Sequence, residues 1–367
     1  MIEITMLTEH YEEGYGDMLH NCREAMFTHS IPYRNLLSDF LSCQPYYIVA
    51  IDSGEVIGAM PAFLKENTKY GNILNSLPFF GSHGGVLVRS RFDDREKAGV
   101  KRLLLNEFSA LAKEKDCILS TIVTSPFDLD ISFYENNLRY KFKDKRVAQI
   151  VEFRNNIHDA EQEIIYNLIE PSNRRAIRRP IKHGVTFEFS KDFGPLFEMH
   201  KENISSKGGN VKPVSFFQKF HDVMEERDYD LTYARKDGVI IAGLLVSLFK
   251  NTVDYLVPAL RYEYSIEQGT SLLIYEGMKK AISNGYKYWN FGGTSESQQS
   301  LHRFKARWGT KDYPYYYYIT QHRDIDHILQ MKPQDIIEEY RWFYVLPFSE
   351  LRNKGWKSTE KQVLSPS

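Results

Sequence analysis

The 367-residue sequence predicts an α/β protein in which one unit, a mixed central sheet flanked by helices, occurs twice in tandem. Three observations carry this expectation. The chain is too long for one typical domain and of ordinary length for two. The order hairpin, helix, strand is legible in each half at a similar separation. Turn and cap residues bound those elements at corresponding places.

In the first half, residues 47–51 form a β-rich run, Asp52-Ser53-Gly54-Glu55 signals a turn, and residues 56–64 form a second apolar run, which together read as a hairpin. Val100, Leu103, Leu104, Phe108 and Leu111 then recur at helical spacing over residues 94–115, behind a capping pair formed by Asp93 and Glu96. Residues 118–124 read as the strand that follows. The second half repeats the order. Residues 231–235 and 239–249 flank the turn Lys236-Asp237-Gly238, and 253–259 is a third strand. Leu272, Leu273, Tyr275, Met278 and Ile282 mark a helix over 269–283, closed by Asn284-Gly285, and residues 286–291 are the next strand. The expected domains are 1–154 and 155–320, followed by a tail at 321–367 with a helix near 334–344. The polar stretch 155–159 reads as the linker, and 358–367 as a frayed end. Helices are expected at 159–169, from 171, at 195–206 and at 214–227. Pro180 should kink or stop the second of these, and Gly208-Gly209 should form a flexible loop.

Composition narrows the function. Lys and Arg number 47 against 48 Asp and Glu, which argues against a broad nucleic-acid footprint and against DNA as a partner. The three cysteines are scattered, odd in number and without metal spacing, so they read as reduced thiols and no metal is expected. Residues 1–14 lack the apolar core of a signal peptide, and no stretch approaches the ~20 apolar residues that span a bilayer. A cytoplasmic location with at most peripheral membrane contact is expected. Nucleotide-binding, serine-hydrolase and zinc-protease signatures are absent from the sequence.

Chemistry-bearing segments concentrate in the second half. The run Tyr288-Trp289-Asn290-Phe291-Gly292-Gly293-Thr294 takes a strand into two glycines, where backbone can approach a ligand closely. The helix after it carries Phe304, Lys305 and Trp308. A fixed cation beside an apolar site stabilises an oxyanion or holds a phosphate, and the same pattern also describes a snorkelling lysine beside core aromatics. Gln268-Gly269-Thr270-Ser271 opens a helix with free N–H groups and two hydroxyls, which suits a phosphate or an ordinary cap. Arg174, Arg175, Arg178 and Arg179 form a basic helical face for diphosphates or tRNA, or else a solvated face paired with neighbouring acids. In residues 75–85, Pro78 and three glycines surround Ser82 and His83, either as an acceptor-binding loop or as a buried hydrogen-bonded turn. Residues 27–30 with Tyr33 and Arg34 supply a facing wall. The run 313–318, five tyrosines around one proline, reads as a packed late strand.

Taken together, Asn290-Phe291-Gly292 with Phe304-Lys305-x-x-Trp308-Gly309, the 75–85 loop, the arginine helix and Gln268-Gly269-Thr270-Ser271 resemble the FemAB-like proteins, which are tandem-GNAT N-acyltransferases. The resemblance runs from about residue 28 to 319 and is similar to the polysaccharide- and envelope-associated branch. It implies acyl transfer to an amine of an amino sugar or peptide precursor, with acyl-CoA or aminoacyl-tRNA as donor substrate and no tightly bound cofactor. By that resemblance Lys305, Phe304 and Tyr255 lie at the reacting ester or thioester. Gln268, Gly269, Thr270, Ser271, Arg174, Arg175 and Arg178 hold the donor, and Ser82, His83, Arg34, Asn290 and Trp308 face the acceptor. An aminoacyl-tRNA-dependent peptidoglycan-type aminoacyltransferase and a non-catalytic ligand-binding protein stand as alternatives.

Overall fold

The computed structural model describes residues 1–353 apart from Phe80, Asn155, Asn156, His158, 207–210, Glu296 and Ser297. The expected Gly208-Gly209 loop, most of the 155–159 linker and the 358–367 end therefore lie outside the described residues. Along the chain run β1 (Glu3–Met6), α1 (Glu9–His20), α2 (Ile31–Leu41), β2 (Gln44–Asp52), β3 (Glu55–Lys65), β4 (Asn72–Asn75), β5 (Leu87–Val88), α3 (Asp94–Glu114), β6 (Cys117–Val123) and α4 (Ile131–Asn137). They are followed by β7 (Phe142–Glu152), α5 (Ala160–Gln162) with a π-helical turn (Glu163–Leu168), α6 (Pro171–Lys182), β8 (Thr186–Ser190), α7 (Gly194–Ser205), α8 (Val214–Val223), β9 (Tyr229–Lys236), β10 (Val239–Phe249) and β11 (Thr252–Leu260). A 3₁₀ turn (Tyr262–Glu267), α9 (Gly269–Ser283), β12 (Tyr288–Thr294), α10 (Gln299–Ala306), β13 (Lys311–Gln321), α11 (Asp326–Gln330), α12 (Pro333–Glu339) and α13 (Phe348–Asn353) complete it.

Two compact units divide the chain at 146/147 and again at 313/314, so residues 314–353 belong with the first unit. The segment read from sequence as a tail thus packs on the N-terminal half. In the first unit β1, β2, β3 and β4 pair antiparallel in turn, β4 pairs parallel with β6, and β6 pairs antiparallel with β13. In the second unit β8, β9, β10 and β11 pair antiparallel, β11 pairs parallel with β12, and β12 pairs antiparallel with β7. The order is the same in both, which is the duplication the sequence suggested. The last strand of the first unit, β13, comes from beyond the second unit in sequence, whereas β7, which closes the second sheet, leads directly into its own unit.

Each helix that bridges the parallel pair buries its apolar stripe on the sheet. Leu104, Phe108 and Leu111 of α3 pack on Ile57, Met60, Leu74 and Ile122. Leu273, Met278 and Ile282 of α9 pack on Leu244, Val246, Val253 and Trp289. A fully buried leucine contributes about 1.5–3 kcal/mol, so these stripes fix which sheet face each helix covers. The predicted capping pair is present: Asp93 Oδ1 accepts the Glu96 N–H at 2.8 Å and Glu96 Oε2 accepts the Asp93 N–H at 3.0 Å. α6 continues through Pro180 to Lys182, because the proline falls in the last turn, where few later residues depend on the ladder. The helices expected at 159–169, 214–227 and 334–344 are shorter or differently wound, as a three-residue helix with a π-helical turn, Val214–Val223 and Pro333–Glu339.

Candidate functional site

In the second unit the parallel strands β11 and β12 share three register pairs, of which Asp254↔Asn290 is the last. From there the strands diverge. β11 stays with β10, after a bulge that leaves Leu256 unpaired between Leu245↔Val257 and Val246↔Tyr255. β12 leaves toward β7, and its register shifts between Asn290↔Ile150 and Gly293↔Ala148, so Phe291 and Gly292 stand opposite Gln149 alone. Two bulges on adjacent strands open the sheet at one point, as bulges beside functional sites commonly do.

Lys305 of α10 holds the second bulge in place. Its ammonium donates to the carbonyls of Gly292 at 3.0 Å and Gly293 at 3.1 Å and to Thr294 Oγ1 at 2.9 Å. Thr294 in turn donates to Gln149 Oε1 at 2.8 Å. All three N–H bonds of the lysine are thereby used inside the unit, and burial pulls its pKa down to about 7. The residue expected to meet an oxyanion instead clamps the bend that opens the sheet. Gly292 has φ +76°, a left-handed conformation that suits glycine.

A row of buried polar side chains crosses the sheet at the opening. The registers place Ser247, Asp254 and Asn290 side by side on β10, β11 and β12. They lie on the face of Gly243, against which Leu196 of α7 packs, because side chains alternate along a strand. Asn290 Nδ2 donates to Asp254 Oδ1 at 2.7 Å, and Asn290 Oδ1 accepts the Gly292 N–H at 2.8 Å. Ser247 Oγ is buried with no partner. Burial pushes the Asp254 carboxyl up to about 6, against the smaller opposing effect of the Asn290 hydrogen bond. A buried carboxylate raised in this way is poised to take a proton near neutrality. The sequence reading passed over Asp254; its signal was a carboxylate inside an otherwise apolar strand, a position where aspartate is rare.

The start of α9 forms a second element of the site. Its N-cap residue Gln268 sits in the left-handed region and provides no side-chain cap. Its amide is turned inward instead, donating to the Ser265 carbonyl at 3.1 Å and accepting from Ser271 Oγ at 3.2 Å. The first ladder bond reaches from the Leu272 N–H to the Gln268 carbonyl, and Thr270 Oγ1 is buried with no partner. The leading N–H groups of this helix and one hydroxyl therefore remain for an anion. Gly269 is required by packing as well: a Cβ there would lie 3.1 Å from Ala242 Cβ and 3.3 Å from Ala234 Cβ.

The remaining expected residues of this unit lie elsewhere. Tyr255 points to the α9 side, 5.2 Å from Phe291 between ring centres; its hydroxyl has no partner, and burial raises its pKa. Trp308 is fully buried against Phe291 in the core, and Phe304 packs half-buried beside it. Arg175 and Arg178 are exposed on α6, and Arg174 lies over the Tyr166 ring at 5.4 Å.

The first unit presents the same topology with its opening filled. β4 and β6 part after Asn75↔Thr121, and the 76–85 segment lies between them. Ser76 Oγ accepts the Val123 N–H at 3.0 Å, and the Gly84 N–H donates to the Val123 carbonyl at 2.8 Å. A Cβ on Gly84 would come within 2.8 Å of the Ser76–Leu77 backbone, so only glycine fits this fold-back. Ser82 Oγ is 2.7 Å from the Tyr33 hydroxyl. His83 Nδ1 lies 2.9 Å from the Thr124 carbonyl, which makes Nδ1 the protonated nitrogen and leaves Nε2 as an acceptor. Burial lowers the His83 pKa to about 4, so the ring is neutral near pH 7. Arg34 is paired with Glu12 at 2.6 Å. The helix start that corresponds to α9 is that of α3, and it is occupied by its own carboxylates Asp93 and Glu96. That helix start carries two carboxylates in its first turn where the α9 start carries none.

Among the described residues no cluster of His, Cys, Asp and Glu is placed to hold a metal, and no helix is long and apolar enough to cross a membrane. Residues 172–313, nearly the whole second unit, match the family described as an acetyltransferase (GNAT) domain. No curated protein sequence matches the chain. Among solved structures, FemX is 16% identical with a TM-score of 0.69, over 89% of this chain and 99% of that one. A tandem GNAT protein from the clavulanic acid biosynthesis pathway is 12% identical with a TM-score of 0.55, over 88% and 100%. A conserved protein from Bacteroides thetaiotaomicron is 11% identical with a TM-score of 0.55, over 88% and 100%. The fold is thus that of tandem GNAT proteins, FemX among them, and the acetyltransferase domain in the second unit marks the chain as an acyltransferase.

Proposed function

We propose that the chain is an N-acyltransferase whose second unit holds a small activated acyl donor, an acyl-CoA thioester, and passes the acyl group to an amine of an envelope or polysaccharide precursor. The observation that carries this reading is the presence, in one unit, of an uncapped helix start and a sheet opening lined by Asp254. The helix start receives the diphosphate of the donor, and the opening between β11 and β12 receives its extended arm, whose amides pair with strand backbone released from the ladder. The acceptor binds as an ammonium and loses a proton to the Asp254 carboxylate. The free amine attacks the thioester carbonyl, the C–N bond forms, and the C–S bond breaks as the thiolate leaves and is protonated. Asn290 holds Asp254 in orientation, and Lys305 maintains the bend on which Asn290 depends. Positioning and desolvation supply much of the rate. The amino sugar or peptide nature of the acceptor rests on the family resemblance of the 75–85 loop and the Phe304-Lys305 segment.

The test is a single-turnover assay of the purified chain with acetyl-CoA and, separately, with charged tRNA, across a panel of amino sugars and peptides. Consumption of the thioester with release of free thiol supports the reading; consumption of charged tRNA alone overturns the donor assignment. Thr270→Val removes the unpartnered buried hydroxyl without changing shape. The variant is expected to weaken donor binding about tenfold while the thermal midpoint stays the same or rises. A lowered midpoint with unchanged donor affinity in calorimetric titration would show that the hydroxyl serves the fold and not the donor.

A further inference from the structure

We propose that the solvent face of α6, with the segments packed around its C-terminus, docks the protein on an anionic lipid surface. At 100° per residue, Arg174, Arg178, Lys182, Arg175 and Arg179 fall on one continuous stripe, and Ile181 stands at its border beside Arg174 and Arg178. The opposite stripe, Asn173, Ile177 and Pro180, is buried. The sequence allowed these arginines to be paired with neighbouring acids; among the described residues none of Arg174, Arg175 and Arg178 meets an acid in an ion pair, and Arg179 feels the Glu267 carboxylate without a close contact. Most of this positive charge stands without a close counter-charge on a helix of a chain whose net charge is only −1.

Apolar side chains stand among these charges. Ile181 is 55% exposed and Ile266 is 57% exposed. Their two segments are joined by one ionic knot at the end of α6: His183 Nδ1 lies 2.5 Å from Glu267 Oε2, and Lys236 Nζ donates to the His183 carbonyl at 2.9 Å. Ile181 precedes His183 by two residues and Ile266 is adjacent to Glu267, while Val239, itself 40% exposed, lies just beyond the turn that follows Lys236. Tyr166, 61% exposed, meets the other end of the stripe under Arg174. Aliphatic tips set among unpaired arginines, with an aromatic at the edge, match the interface of a bilayer: the guanidinium groups meet lipid phosphates and the isoleucines enter the acyl boundary. A nucleic-acid backbone would engage the arginines but has nothing to offer Ile181 and Ile266, so the combination favours lipid. The surface borders the α9 start, since Ile266 and Glu267 immediately precede Gln268, but its charge and apolar tips are argued without the acyl-transfer reading.

Sedimentation of the full chain with vesicles tests it, using phosphatidylcholine alone and equal parts phosphatidylcholine and phosphatidylglycerol. Binding is expected only with the mixed vesicles. Arg178→Gln should weaken it about fivefold, and Ile266→Asn, which leaves charge unchanged, about tenfold. Each variant is compared after its circular dichroism and thermal midpoint are matched to the parent. No preference for anionic vesicles overturns the proposal. So does binding that Ile266→Asn leaves intact and transfer RNA displaces, since that behaviour belongs to a nucleic-acid face.

Discussion

Asp254→Asn is expected to lower kcat/KM by about a thousandfold while making the protein more stable. The loss follows from removing the group that takes the amine proton, and general-base contributions of 10²–10⁴ are usual. In the parent, kcat/KM should fall as pH drops below about 6, because the free-enzyme carboxylate must be ionised to act and burial sets its pKa there. In the variant that acid limb should vanish from the residual rate. The stability change has a definite sign. The folded pKa of about 6 lies above the ordinary value of 3.8, so the stabilisation from this group is complete below about 4 and is lost as pH rises through 6. At neutral pH the ionised, buried carboxylate therefore costs the fold on the order of 3 kcal/mol at most, a penalty that Asn avoids. Denaturant melts at pH 7 and pH 4 check this: the variant should gain on the parent at pH 7 and not at pH 4. A variant less stable than the parent at pH 7, with the acid limb intact, would assign Asp254 to the fold alone.

Lys305→Met is expected to reduce both activity and stability, by more than a hundredfold and by about 2 kcal/mol. The methionine fills the volume but leaves the carbonyls of Gly292 and Gly293 without their donor, and a buried acceptor left unpaired costs about 1–3 kcal/mol. The relief of burying an ammonium offsets part of that cost. The bulge at Phe291-Gly292 then relaxes and Asn290 no longer aligns Asp254. A further signature concerns pH. The folded lysine, drawn down to about 7 from 10.5, binds fewer protons than the unfolded chain between those values. Its contribution to stability therefore rises with pH across that window, and the rise should be absent from Lys305→Met melts. If Lys305 served the oxyanion directly, the variant would lose kcat with little change in stability.

Much of this architecture is legible in the sequence, and what is not has a physical reason. The hairpins, α3, α9 and β12 are long or carry their own turn and cap residues, so local chemistry defines them; the Asp93–Glu96 cap and the Asn284-Gly285 stop are read directly. β4, β5 and β8 are too short to show a period. The partnership of β6 with β13 and of β12 with β7 joins residues far apart in sequence, which no local pattern records. Gln268-Gly269-Thr270-Ser271 is legible as the start of a helix, because the apolar period of α9 begins directly after it. Asp254 is not, because its significance depends on Ser247 and Asn290 arriving beside it from other strands. Lys305 was singled out, but its hydrogen bonds turn back to the carbonyls of its own unit, a direction that spacing does not encode.

The late place of β13 in the sequence bears on how the chain is born. Residues 147–313 contain every strand of their own sheet and are complete when that stretch has left the ribosome. The first half emerges earlier but lacks Tyr317–Gln321, which cover the edge of β6 at Leu119–Val123. The C-terminal unit is thus the one that can finish first, against the usual N-to-C order of synthesis. Until the final segment arrives, the nascent N-terminal half carries a bare, apolar strand edge of the kind that recruits unrelated chains. A ribosome stalled after Tyr313, or a protease cut there, should release not a smaller working enzyme but an aggregation-prone product in need of a chaperone.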